Sequence, residues 1–204
     1  FFRQLVAIAV VLCFTPSIKL AYGVNIGAGP TVTISADTTN QQTFNQPDVT
    51  LTIDNGVTLT KAGNQAVVAG TNSTIIVNSG ATINATGNQA IAAQGDDITI
   101  ITNNGTISAD GNFAIKISQT TNGIITNNAG GVITADTNTI YANQSSSLTI
   151  TNAGTISVAS LSAYAIDLGN ATGATITMKN GGLVIGKITT TATGNKLQFD
   201  HGFG

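Results

Sequence analysis

Two carboxylates stand side by side at Gly95-Asp96-Asp97. A carboxylate pair is the working unit of glycoside hydrolysis, one group donating a proton while the other serves as base or nucleophile. An acidic sugar would also need cations to hold it. Beyond residue 23 the chain has no Arg, because Arg3 is the only one, and its single His, His201, lies far along the chain. A Ser-His-Asp relay fails on the same isolated His, and no G-x-S-x-G occurs. Asp110 and Asp136 each fall three residues after an Ile of a repeated phrase, Ile107 and Ile133. Stacked repeats would bring their carboxylates within about 5 Å, close enough to share a Ca²⁺. The neighbouring positions in that line, Thr86 and Ala159, add little to the roughly six to eight oxygens that Ca²⁺ takes. These acids therefore read as solvated turns, with no catalytic residue, no metal ligand and no cofactor assigned.

The phrase that carries those acids reveals the elements beneath them. Residues 102–115, TNNGTISADGNFAI, return as NSGATINATGNQAI at 78–91, NGVTLTKAGNQAV at 55–67 and NAGTISVASLSAYAI at 152–166. The Ile before each Asn-rich turn falls at 53, 76, 101, 125, 150 and 176, a period of about 24. A second apolar line runs Leu59, Ile83, Ile107, Ile133, Ile156, Ile185, and a third runs Val67, Ile91, Ile115, Ile140, Ile166. Three short strands per period without a helical pattern predict an all-β solenoid: a parallel β-helix of about 24 residues per coil. The handedness preference of parallel crossovers makes it right-handed. A lone coil buries too few side chains to offset the entropy of ordering it, so each coil requires its neighbours.

In that arrangement Asn55, Asn78, Asn103, Asn127 and Asn152 follow the inward Ile by two residues and stack along one corner, amide upon amide. Gly56, Gly80, Gly105, Gly130 and Gly154 close the same corner, where a positive φ is expected. Both rows read as a structural turn ladder rather than a ligand site.

Composition agrees with an all-β chain. Charged residues make up 8%, all nine acids are Asp, and β-branched residues abound while Glu is missing. Five Lys against nine Asp beyond residue 23 disfavour nucleic acid. At the N-terminus, Arg3, the apolar run LVAIAVVLCF (5–14) and the small residues Ala21 and Gly23 form a secretory signal pattern, read as a helix. The expected division is a signal peptide at 1–23, an N-terminal cap and first coil at 24–50, and β-helix repeats at 51–204, cut at the C-terminus. The only Cys, Cys13, leaves with the signal, so disulfides do not hold the exported part together.

A signal peptide followed by ITNNGTISA, AIKI, IITNNAGGVITA, LTITNAGTISV, AIDL and ATITMKNGGLVIGKI with GNKLQF resembles the β-helical passenger of bacterial autotransporters, the type V secretion class. The resemblance covers about residues 50–199. It implies export to the cell surface, outer membrane or medium of a Gram-negative bacterium, and a C-terminal outer-membrane β-barrel in cis that is missing here. It further implies an adhesive or presenting role toward a host or cell-surface ligand, with no enzyme activity and no small-molecule cofactor.

Two other classes share the fold. Polysaccharide lyases and hydrolases on a β-helix would depend on Asp96 and Asp97. An ice-binding solenoid would need uninterrupted rows of Thr-x-Thr. Counted around the inward Ile, the pairs are Thr52/Asp54, Ile75/Val77, Ile100/Thr102, Ile124/Thr126, Thr149/Thr151 and Thr175/Thr177, and only the last two fit. That register leaves Ile75, Ile100 and Ile124 as an exposed apolar line, whereas a shift by one residue would bury it.

Overall fold

A computed structural model describes residues 24–26, 31–95 and 98–200. The signal segment 1–23, the Asp96-Asp97 pair and His201 lie outside the described residues. Among those described, the chain is all strand and turn, wound into a solenoid of three parallel sheets with about 24 residues per coil. Sheet A has eight strands, from Val24–Ile26 to Lys187–Thr189. Sheet B has eight, from Thr31–Ile34 to Lys196–Phe199, and sheet C has six, from Thr58–Ala62 to Leu183–Ile185. Each strand pairs in parallel with the equivalent strand one coil away. The described residues of 24–50 supply strands to sheets A and B but none to C, where Thr38 makes a single bridge to Leu59 instead.

Alternation decides which residues enter the core. In sheets B and C most strands read half-buried, buried, half-buried, buried, as in Thr106–Asp110 before its exposed last residue. Most inward positions are filled by Ile, Leu, Val and Ala, which carry no side-chain polar atom, the first three being β-branched or aliphatic residues that suit a pleated strand. Leu59, Ile83, Ile107, Ile133 and Ile156 are directly paired and fully buried. Val67, Ile91, Ile115, Ile140 and Ile166 form the matching column of sheet A, also fully buried. Both belong to one continuous core.

Two places depart from the sequence reading. In sheet C the partner of Ile156 is Val184, while Ile185 pairs with Ser157 and is exposed. In sheet B the inward column is Leu51, Ile75, Ile101, Ile125, Ile150, Ile176, so Ile53 and Ile76 do not belong to it. Ile75 is buried and Ile76 faces outward beside Thr52 and Thr102. The cause is local: Thr74–Val77 reads TIIV, whose two adjacent Ile residues allow either alternation, and only pairing with Leu51 and Ile101 chooses between them.

Candidate functional site

The Asn ladder exists over three coils, and it faces inward. Asn103, Asn127 and Asn152 pair in register at the ends of their sheet B strands and are fully buried. Asn103 Nδ2 donates to Asn127 Oδ1 at 2.8 Å, and Asn127 Nδ2 donates to Asn152 Oδ1 at 2.8 Å. Each amide also ties down the corner that follows. Asn103 donates to the carbonyls of Gly105 and Val132, Asn127 to those of Gly131 and Thr155, and Asn152 to that of Leu183. The row is thus a buried chain of amides whose polar atoms are matched.

Asn55 and Asn78 stand elsewhere. The column that holds the three amides continues toward the N-terminus as Val77 and Ile53, and beyond Asn152 as Met178. Asn78 lies one residue past that column, half-buried, and Asn55 is exposed in the turn after Ile53. Asn55 is counted from Ile53, which is buried but lies in the amide column itself, and Asn78 from the outward Ile76, so both fall off the line.

The glycines separate into two kinds. Gly56, Gly80 and Gly130 have φ of 72°, 70° and 82°, so they occupy the left-handed region that side chains resist. Gly105 and Gly154 do not have positive φ, which corrects the expectation for them. They are glycine because a Cβ at Gly105 would overlap the carbonyl oxygens of Ala81 and Asn78, and one at Gly154 those of Gly131 and Asn128. The corners at 103–106 and 152–155 are two residues shorter than the one at 127–132, which draws the backbone against the coil below.

The chemistry-bearing acids are dispersed. Asp110 and Asp136 follow the paired Ala109 and Ala135 and are both exposed. Among the described residues no three His, Cys, Asp or Glu side chains group as a metal centre would require. A cleft of about 540 Å³ is lined by residues 33–40 with Thr58 and Thr60. Asp37 is the one acid there, and its Oδ1 accepts the Thr58 amide at 2.8 Å.

Sequence reasoning missed the true composition of the outer face of sheet B. With the observed register, the outward pairs of its first seven strands are Thr31/Thr33, Thr50/Thr52, Thr74/Ile76, Ile100/Thr102, Ile124/Thr126, Thr149/Thr151 and Thr175/Thr177. These seven pairs are all Thr or Ile, and the last strand ends the row with Lys196 and Gln198, which pair with Thr175 and Thr177. The Ile residues interrupt the Thr rows in the three middle strands only. Aligning strands on Leu51 and Ile75 would have exposed this pattern in the sequence.

The chain matches no protein-family model, no curated protein and no solved structure.

Proposed function

We propose that the chain is the stalk of an autotransporter-type passenger, exported through a signal peptide and displayed at the surface of a Gram-negative cell for adhesion or presentation. The observation that carries this reading is the unbroken stack of near-identical coils, which forms a rod with short corners and long repeated faces. A rod holds whatever it bears away from its base. Its stability rests on apolar columns and amide ladders rather than disulfides, and parallel pairing to the preceding coil lets it be assembled one coil at a time. Residues 24–200 joined to a type V barrel and expressed in a Gram-negative host test the proposal. External protease and antibody should reach the segment on intact cells, and retention in the periplasm would overturn it.

A second reading gains support from the outer face of sheet B. Over its first seven strands the Thr and Ile residues repeat at about 4.8 Å along the axis and about 6.7 Å along each strand, an uncharged grid, bounded by Lys196, that is suited to ordering water. Ice binding follows if the purified protein depresses freezing below melting and Thr126→Lys abolishes the gap. The absence of any such gap removes this reading and leaves the first untouched.

A further inference from the structure

We propose that the outer face of sheet A carries a saccharide-binding platform centred on Phe113, Tyr141 and Tyr164. Aromatic residues are scarce in this chain, 5% of the total. Among the described residues Phe44 is buried and Phe199 belongs to the last strand, which leaves three rings, and all three lie together on successive coils. Phe113 and Tyr141 stack with centroids 4.8 Å apart at 17°. Tyr164 is 36% exposed, with Lys187 Nζ 5.9 Å from its centroid.

Register sets polar groups between and beside the rings. Phe113, Asn138 and Tyr164 are paired in one column, and Lys116, Tyr141 and Asp167 in another. Asp167 Oδ1 accepts the Gly169 amide at 2.9 Å, which leaves further acceptor capacity on the half-buried carboxylate. Lys116 is in no salt bridge there. A pyranose has an apolar C–H face that packs on an aromatic ring and a rim of hydroxyls that need donors and acceptors together. Rings interleaved with a carboxylate, an amide and ammonium groups meet both needs.

The shape favours an extended sugar chain over other partners. Phe113 and Tyr164 are two coils apart, about 9.6 Å, which is close to the span of a disaccharide in a β-linked polymer. The middle strands of sheet A are paired on both edges, so a peptide cannot add as a strand. Nucleic acid would stack on the same rings, but Asp167 and the net charge of −2 oppose its phosphates.

The platform names a partner class for the adhesive role proposed above, on which its biological meaning rests. Its test uses purified protein and so is independent of surface display. Cellohexaose and chitohexaose are the probes, followed by calorimetry and by tyrosine emission, which is unobscured because the chain has no Trp. Saturable binding of at least one is expected, insensitive to salt. Tyr164→Ala and the pair Phe113→Ala/Tyr141→Ala should each weaken it by about tenfold or more. Thr126→Ser on sheet B should leave it unchanged. Tyr164 is the most exposed of the three rings, so its variant keeps the test valid if the stacked pair proves necessary for folding. Failure of both sugars to bind, or binding that survives Tyr164→Ala in a folded protein, overturns the platform.

Discussion

Asn127 accepts from one buried amide and donates to another; its loss leaves Asn152 Oδ1 without that donor, while Asn103 keeps its bonds to the Gly105 and Val132 carbonyls. Asn127→Val should cost about 1–3 kcal/mol in chemical denaturation, the cost of one buried group left unpaired. Replacing Asn103, Asn127 and Asn152 together by Val should cost far less than three times that, because the pairs vanish on both sides. Asn55→Ala should be nearly silent. A parallel contrast separates the glycines. Gly130→Ala meets open space and should cost only the left-handed penalty of about 1–2 kcal/mol. Gly154→Ala drives a methyl into backbone carbonyls and should cost more, read as a lower melting temperature. At this scale the sequence showed that Asn and Gly recur. It did not show which way they face, because an amide that closes a turn from outside and one that stitches coils from inside use the same residue type.

Strands were legible where the alternation was unambiguous. The column through Ile107 follows from Leu and Ile set mostly between Thr, Ser and Asn, and the column through Ile115 from an apolar residue that recurs, mostly behind an Ala, at the same period; pairing confirms each partner. The strand Thr74–Val77 was not legible, since its phase depends on neighbours a whole coil away. Its register has a direct test. Ile75→Thr buries an unpartnered hydroxyl and empties space in the core, at about 2–4 kcal/mol. Ile76→Thr restores the residue of the adjacent outward columns and should change stability by about 0.5 kcal/mol or less. Equal effects of the two would contradict the observed phase. The candidate surfaces share this dependence: the Thr and Ile grid of sheet B becomes visible only after the phase of this one strand is settled.

Charge contributes little to the molecule as a whole. The described residues contain one salt bridge, Lys179 to Asp200 at 2.6 Å, with both side chains nearly half exposed. Raising sodium chloride from about 0.05 M to about 1 M shortens the screening length from over 10 Å to about 3 Å. The loss of this bridge should therefore not lower the melting temperature appreciably. Cohesion comes instead from nearest-neighbour stacking, so damage should spread along the rod. Ile107→Asp places an unpaired charge in the centre of a column and should unfold the adjoining coils with its own, seen as loss of amide-exchange protection in Thr82–Thr86 and Val132–Ala135 as well as Thr106–Asp110. Lys116→Asp on the outer face of sheet A should leave that protection in place.

The backbone hydrogen bonds that join coils run along the rod, as from the Thr106 amide to the Ala81 carbonyl at 2.8 Å and from the Val132 amide to the Gly105 carbonyl at 2.8 Å. A force applied between the two ends therefore loads the coils in series and peels them one after another instead of shearing the whole array. Each coil of about 24 residues releases roughly 80 Å of contour at about 3.4 Å per residue. Stretching a single molecule should give a sawtooth with that increment, and the chain would act as a mechanical fuse, lengthening under load while the remaining coils stay wound.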